Sequence, residues 1–171
     1  MTAKEIKQGR DGQRAVGRGI ESTARLAGLT LGPRGALVLR ERDLDFPEAV
    51  RDGFSAIRNV ENGDPFAVMG ARLVRGCAKQ TRDSVGDGTT TTTLLLMALY
   101  REGVRMLAAG TPAREISRTF TALAMQVRRR VQEMSLTCES PALIERVALN
   151  AANRDEELAT LVAEAVWRLG R

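Results

Sequence analysis

Apolar residues recur at three- and four-residue spacing along nearly the whole chain, and glycine and proline cut that repeat into segments. This pattern constrains the fold more than any other feature, because a helical stripe must be buried against another helix or a sheet. Val16, Ile20, Thr23 and Ala27 define a first helix over about residues 9–27, with Gly28 as its stop. Asp64-Pro65 is a cap residue followed by proline at the first helical position, and predicts a helix whose buried stripe is Met69, Leu73, Cys77 and Val74. A further helix begins in the threonines of residues 89–93 and runs past Tyr100 towards Leu107, with Gly110 ending it. Thr111-Pro112 starts another, whose Ile116, Phe120, Leu123, Val127, Val131 and Met134 share one face and read as core. Ser140-Pro141 and Asp155-Glu156-Glu157 open two shorter helices, and Leu158, Leu161, Ala165 and Leu169 form the predicted buried face of the last.

The period changes once. Ala36-Leu37-Val38-Leu39-Arg40 follows a Gly-Pro-Arg-Gly turn, and Glu48-Ala49-Val50-Arg51 precedes Asp52-Gly53, which suggests two short strands without obvious partners. The fold class is therefore mainly α, a multi-helical bundle with a small β element, and residues 135–140 are the candidate linker.

Absences narrow the chemistry. The 171 residues include no histidine, which excludes imidazole bases, Ser-His-Asp and Cys-His nucleophile systems, and His-ligated zinc. Cys77 and Cys138 lie far apart without a CxxC neighbour, which reads as two free thiols in a reducing, cytoplasmic setting. The longest apolar run, Leu94 to Tyr100, is far short of a membrane span. The net charge of +5 comes from arginine dispersed along the chain, with one block at Arg128-Arg129-Arg130 and scattered aromatics. Neither nucleic acid nor membrane is the expected partner, since nucleic-acid surfaces cluster their base and interleave aromatics for stacking.

Three glycine-marked turns have the composition of an anion site: Thr30-Leu31-Gly32-Pro33-Arg34-Gly35, Arg51-Asp52-Gly53, and Gly86-Asp87-Gly88-Thr89-Thr90-Thr91. Glycine permits positive φ and close approach of backbone N–H groups to phosphate oxygens. The third turn enters a helix N-terminus, where unsatisfied N–H groups and the dipole favour negative charge. Threonines add hydroxyls there, and Asp87 supplies a hard carboxylate oxygen of the kind magnesium takes beside phosphates. A plain Gly-Asp-Gly turn capping a helix is the alternative. The GxxxxGK[ST] spacing of a P-loop is absent, and Gly17-Arg18-Gly19 lacks the third glycine of a dinucleotide fingerprint. Asp52 beside Gly53 reads as a turn residue in preference to one that positions water.

In this order and at these intervals, the three turns resemble the nucleotide-binding segments of the group I chaperonins, the GroEL family. Met69-Gly70-Ala71, Ala108-Ala109-Gly110, Ile144-Glu145-Arg146-Val147 and Ala152-Asn153-Arg154-Asp155 extend the likeness over essentially the whole chain. The resemblance implies the N-terminal half of an equatorial, ATP-binding domain over residues 1–134 and the start of an intermediate, hinge domain over 135–171, with the chain stopping before the apical domain. It implies that Thr30, Leu31, Gly32 and Pro33 contact ATP, that Arg51 stands where a lysine is usual, and that Asp87 holds Mg2+. Gly88, Thr89, Thr90 and Thr91 would cradle phosphates, and Asp52 would orient the attacking water, so that catalysis is positioning plus charge stabilisation.

It further implies a chaperone role, ATP-dependent folding of unfolded proteins in an oligomeric ring of chaperonin subunits. Client and co-chaperonin contacts would belong to an apical domain outside this sequence. The segment 41–47 departs from the family pattern, as does Arg51. Because the C-terminal half of the ATP site is not in this sequence, the alternative is a non-hydrolysing module that docks on chaperonin subunits through exposed helices.

Overall fold

A computed structural model describes residues 5–42, 45–60, 63–152 and 154–170; Asn153, one of the residues carrying the family likeness, lies outside them. The described elements run α1 (Gly9–Gly28), β1 (Val38–Arg42), β2 (Asp45–Val50), α2 (Gly53–Ile57), α3 (Pro65–Val85), α4 (Thr89–Ala108), α5 (Ala113–Met134), α6 (Pro141–Ala151) and α7 (Glu156–Leu169). The mainly α architecture with one small sheet is what the periodicity predicted. Two compact units are distinguished, one up to Ile116 and one from Ser117 onward.

In the first unit α1 packs on α3, α4 and α2. Its core joins Ile20, Ala24 and Ala27 of α1 to Ile57 of α2 and to Val74 and Ala78 of α3, with Leu96, Met97 and Tyr100 of α4 against them. The α1–α3 crossing is set by glycine on both helices. A Cβ added to Gly19 would lie 1.8 Å from the Ala67 carbonyl oxygen, and one added to Gly70 would lie 2.1 Å from the Val16 carbonyl oxygen. The two backbones touch, at a distance no side chain permits.

This crossing corrects the predicted stripe of α3. The buried residues are Phe66, Ala67, Gly70, Ala71, Val74 and Ala78, whereas Met69 is 50% and Leu73 56% exposed and Cys77 is half-buried. Small residues win the inner face because α1 lies too close for Met or Leu. Asp64 caps α3 as expected, accepting from the Phe66 N–H at 3.0 Å and from Arg18 at 2.7 Å. Those bonds, the Phe66 one foremost, hold its carboxyl below the ordinary carboxylate value. Arg101 on α4 donates to Glu21 on α1 at 2.7 Å and lowers that carboxyl similarly.

The two strands do have partners, namely each other. β1 and β2 pair antiparallel with Val38 opposite Val50, Leu39 opposite Ala49 and Arg40 opposite Glu48, and the register shifts between Arg40 and Arg42. The cross-strand pair Arg40–Glu48 is an ion pair, and Arg40 also donates to the Ser55 carbonyl oxygen at 3.3 Å, tying the hairpin to α2.

In the second unit α6 and α7 pack through Ala148, Ala159 and Ala163, with Ile144, Leu149 and Ala152 beside them. Ser140 and Asp155 cap these helices as the sequence suggested, accepting from the N–H groups of Leu143 and Leu158. The predicted buried face of α7 is displaced, however: Leu158, Leu161, Ala165 and Leu169 are exposed. The α5 stripe departs further. Ile116 is buried and Phe120 half-buried, but Leu123, Val127, Val131 and Met134 are 48%, 61%, 58% and 69% exposed. The amphipathic pattern is present, and nothing among the described residues covers it.

Two outcomes follow for stability. Gly19→Ala should destabilise the chain by roughly 1–3 kcal/mol by forcing α1 from α3, whereas Gly76→Ala, on the same α3 with nothing within 4 Å of the added Cβ, should stabilise by about 1 kcal/mol; urea melts of both variants test this. Because the folded-state value of Asp64 is depressed below its ordinary 3.8, its stabilisation is present above that value and disappears as pH falls through the lower, folded value. Asp64→Asn should therefore flatten part of the acid limb below about pH 4 in a pH series of the same melts.

Candidate functional site

The first glycine turn grows from the C-terminus of α1. The Thr30 hydroxyl donates to the Ala27 carbonyl oxygen at 2.8 Å, Gly32 takes φ +81°, and the Ala36 N–H closes the loop onto the Leu29 carbonyl oxygen at 2.7 Å. A side chain at Gly35 would collide with the Thr30 carbonyl oxygen, 2.2 Å from the added Cβ. The loop is thus locked by its own backbone, with Leu31, Gly32 and Pro33 exposed along it.

The second turn is not a hairpin turn. Asp52 is extended, at φ −96°, and is the N-cap of α2, with its Oδ1 accepting from the Ser55 N–H at 2.8 Å. Asp52, a capping residue type standing just before the apolar positions Phe54, Ala56 and Ile57, is the sequence signal that would have shown this. Arg51 leads into the cap with an exposed side chain.

The third turn joins α3 to α4 through two left-handed glycines, Gly86 and Gly88, both at φ +83°. Gly86 caps the end of α3, and its N–H reaches the Arg82 carbonyl oxygen at 2.9 Å. Gly88 is the N-cap of α4, and no side chain caps that helix. Asp87, between them, is exposed and accepts from the Gly88 N–H at 2.6 Å through Oδ1 alone. The first intrahelical bond after the cap runs from the Thr92 N–H to the Gly88 carbonyl oxygen at 2.9 Å, so the N–H groups of Thr89, Thr90 and Thr91 are the orphan donors of a 20-residue helix.

The threonines divide their work by position. Thr93 is fully buried, with its hydroxyl returned to the Thr90 carbonyl oxygen at 2.8 Å. The Thr92 hydroxyl accepts from that of Thr81 at 3.1 Å, which fixes the start of α4 to the end of α3. Thr89 and Thr90 are half-buried and Thr91 is exposed.

The structure brings the turns together at Gly53. A Cβ there would lie 2.2 Å from the Thr90 Oγ1 and 3.3 Å from the Ala27 carbonyl oxygen, while one at Gly28 would lie 3.0 Å from Leu94. The end of α1, the start of α2 and the first turn of α4 are therefore in contact, and Thr30, Asp52 and Gly88 each lie within three residues of that contact. Sequence reasoning found the turns but not the Gly53–Thr90 packing that joins them. It also missed the stack of Arg82 over the Phe54 ring, 4.3 Å from its centroid.

The donor set suits a phosphate carried with a hard cation: orphan N–H groups at a glycine-led helix start, free hydroxyls and one exposed carboxylate. Among the described residues no cluster of three acidic or thiol groups is placed to hold a metal. No described helix is long and apolar enough to cross a membrane.

Solved chaperonin structures share this mainly helical fold with its short hairpin. Chaperonin gp146 from the bacteriophage EL 2 (Pseudomonas aeruginosa), in the presence of ATP-BeFx, aligns at TM-score 0.75 with 28% identity over 92% of this chain and 28% of its own. Another crystal form of the same chaperonin, form I, aligns at TM-score 0.75 with 27% identity and the same coverage. A group III chaperonin in the open state shares the fold at TM-score 0.79, with 22% identity over 96% of this chain and 33% of its own. The chain thus spans between a quarter and a third of the length of these structures. The TCP-1/cpn60 chaperonin family profile matches residues 24–170, and the chain belongs to that family.

Gly53→Ala should cost roughly 1–3 kcal/mol by overpacking against Thr90, and adding Thr90→Ala should recover part of that loss. A double-mutant cycle of urea melts checks it; strictly additive effects would mean that the two residues do not touch.

Proposed function

We propose that this chain supplies the phosphate-binding half of a chaperonin ATP site. Thr30, Leu31, Gly32, Pro33, Arg51 and Gly88 to Thr91 contact the nucleotide, Asp87 holds Mg2+, and Asp52 orients water. The observation that carries this reading is the start of α4: a left-handed glycine cap without a side-chain cap, three orphan N–H groups, and an exposed carboxylate whose second oxygen is uncommitted. Magnesium, when bound with the nucleotide, would neutralise charge on the phosphate oxygens. The residues of the chain do the positioning. The Thr89 and Thr91 hydroxyls and the α4 N–H groups would hold phosphate, and the locked loop at Thr30–Gly35 would wall one side. Asp52, fixed as a helix cap, would present its other oxygen.

In this reading residues 1–134 form the equatorial part and 135–171 the beginning of the hinge. The native role is ATP-dependent protein folding in a cytoplasmic ring of chaperonin subunits, with clients and co-chaperonin engaged by an apical domain. A second reading, a non-hydrolysing module that docks on chaperonin subunits, is favoured by one observation: Leu123, Val127, Val131 and Met134 of α5 expose a continuous apolar face.

Calorimetric titration with Mg-ATP tests the proposal. Saturable binding that requires magnesium and disappears in Asp87→Ala, while Asp52→Asn retains affinity and the α2 cap, is the expected result. Binding unchanged in Asp87→Ala would refute the metal site. A folded chain that binds no Mg-ATP would leave the docking module as the better reading.

A further inference from the structure

A cleft of about 380 Å³ lies between α2 and α3, lined by Phe54, Arg58, Arg75, Gly76, Lys79 and Arg82. Four of these six residues are cationic and none is acidic. On α3 the cations fall at positions 75, 79 and 82, spacing that places them on one helical face, and Arg58 comes from the C-cap of α2. Two of the four are held in place. Arg75 donates to the Val60 carbonyl oxygen at 2.6 Å, and Arg82 stacks over the Phe54 ring while pairing with Asp83 at 3.0 Å. Asp83 is the one carboxylate among the described residues paired with any of them, so among those residues the other three positive charges of the cleft have no carboxylate partner.

Like charges gathered around a concave surface repel one another, and a multiply charged anion relieves that repulsion. The unpaired guanidinium groups of Arg58 and Arg75, with the Lys79 ammonium, favour phosphate over simple carboxylate, because a planar fork pairs with two phosphate oxygens at once. The volume suits a small molecule. Nucleic acid is disfavoured, since the one aromatic face at the cleft is already covered by Arg82.

The geometry points to a second anion site in this cleft, distinct from the α4 N-terminus, that takes a short free polyphosphate chain without magnesium. It does not rest on the nucleotide reading, because no residue assigned there lines it. Calorimetric titration of the whole chain with tripolyphosphate in EDTA tests it. One saturable site is expected, weakening steeply with added salt, about tenfold weaker in Lys79→Glu and again in Arg58→Glu, and unchanged in Asp87→Ala. Both charge-reversed side chains are exposed, and circular dichroism verifies that the variants remain folded. Retained Mg-ATP binding in Lys79→Glu separates the two sites. Tripolyphosphate affinity indifferent to both reversals, affinity lost in Asp87→Ala, or no saturable binding by the folded chain would each overturn the proposal.

Discussion

The backbone contact between α1 and α3 is the constraint on which the rest of the first unit depends. Gly19 against Ala67 and Gly70 against Val16 let the two helices meet without intervening side chains. That closeness fixes where α1 ends and therefore where the Thr30–Gly35 loop begins. It also places Ala27 against Gly53, and Gly53 against Thr90. The site is assembled by the same device as the core, a glycine where a neighbouring element must approach closely. A misplaced methyl group at any of these points would separate the turns before it unfolded the helices.

Much of this architecture was legible in the sequence, and what was not has a common cause. Helix ends were readable because their signals are local: Asp64-Pro65, Ser140-Pro141 and Asp155 each satisfy an orphan N–H within their own first turn. The three glycine turns were readable for the same reason. The buried face of α1 was readable too, with Ile20, Thr23 and Ala27 buried as expected, but those of α3, α5 and α7 were not, because a face is decided by its partner. Met69 and Leu73 carry the hydrophobic signal on α3, yet Ala67, Gly70 and Ala71 carry the contact, and small residues are nearly silent in a hydropathy pattern. α7 repeats the lesson, with Ala159 and Ala163 buried and Leu161 exposed. At the site, Asp52-Gly53 reads locally as a turn because Asp-Gly is a strong turn signal. The bond to the Ser55 N–H shows that the competing helix-cap signal prevailed.

The exposed α5 face has a different meaning. Leu123, Val127, Val131 and Met134 keep a regular helical period, the pattern of a face that is to be covered. The hairpin adds a second surface, since among the described residues each of its strands pairs along one edge. Both features fit the proposal that the chain docks on chaperonin subunits.

The central claim is that three turns distant in sequence form one phosphate-binding surface. Backbone amide NMR shifts recorded on addition of Mg-ATP test it most directly. The account predicts concerted, saturable shifts at Thr30 to Gly35, at Asp52 and Gly53, and at Gly86 to Thr91, with one apparent affinity for all three. Shifts confined to one turn, or absent from all three in a chain that stays folded, would contradict it.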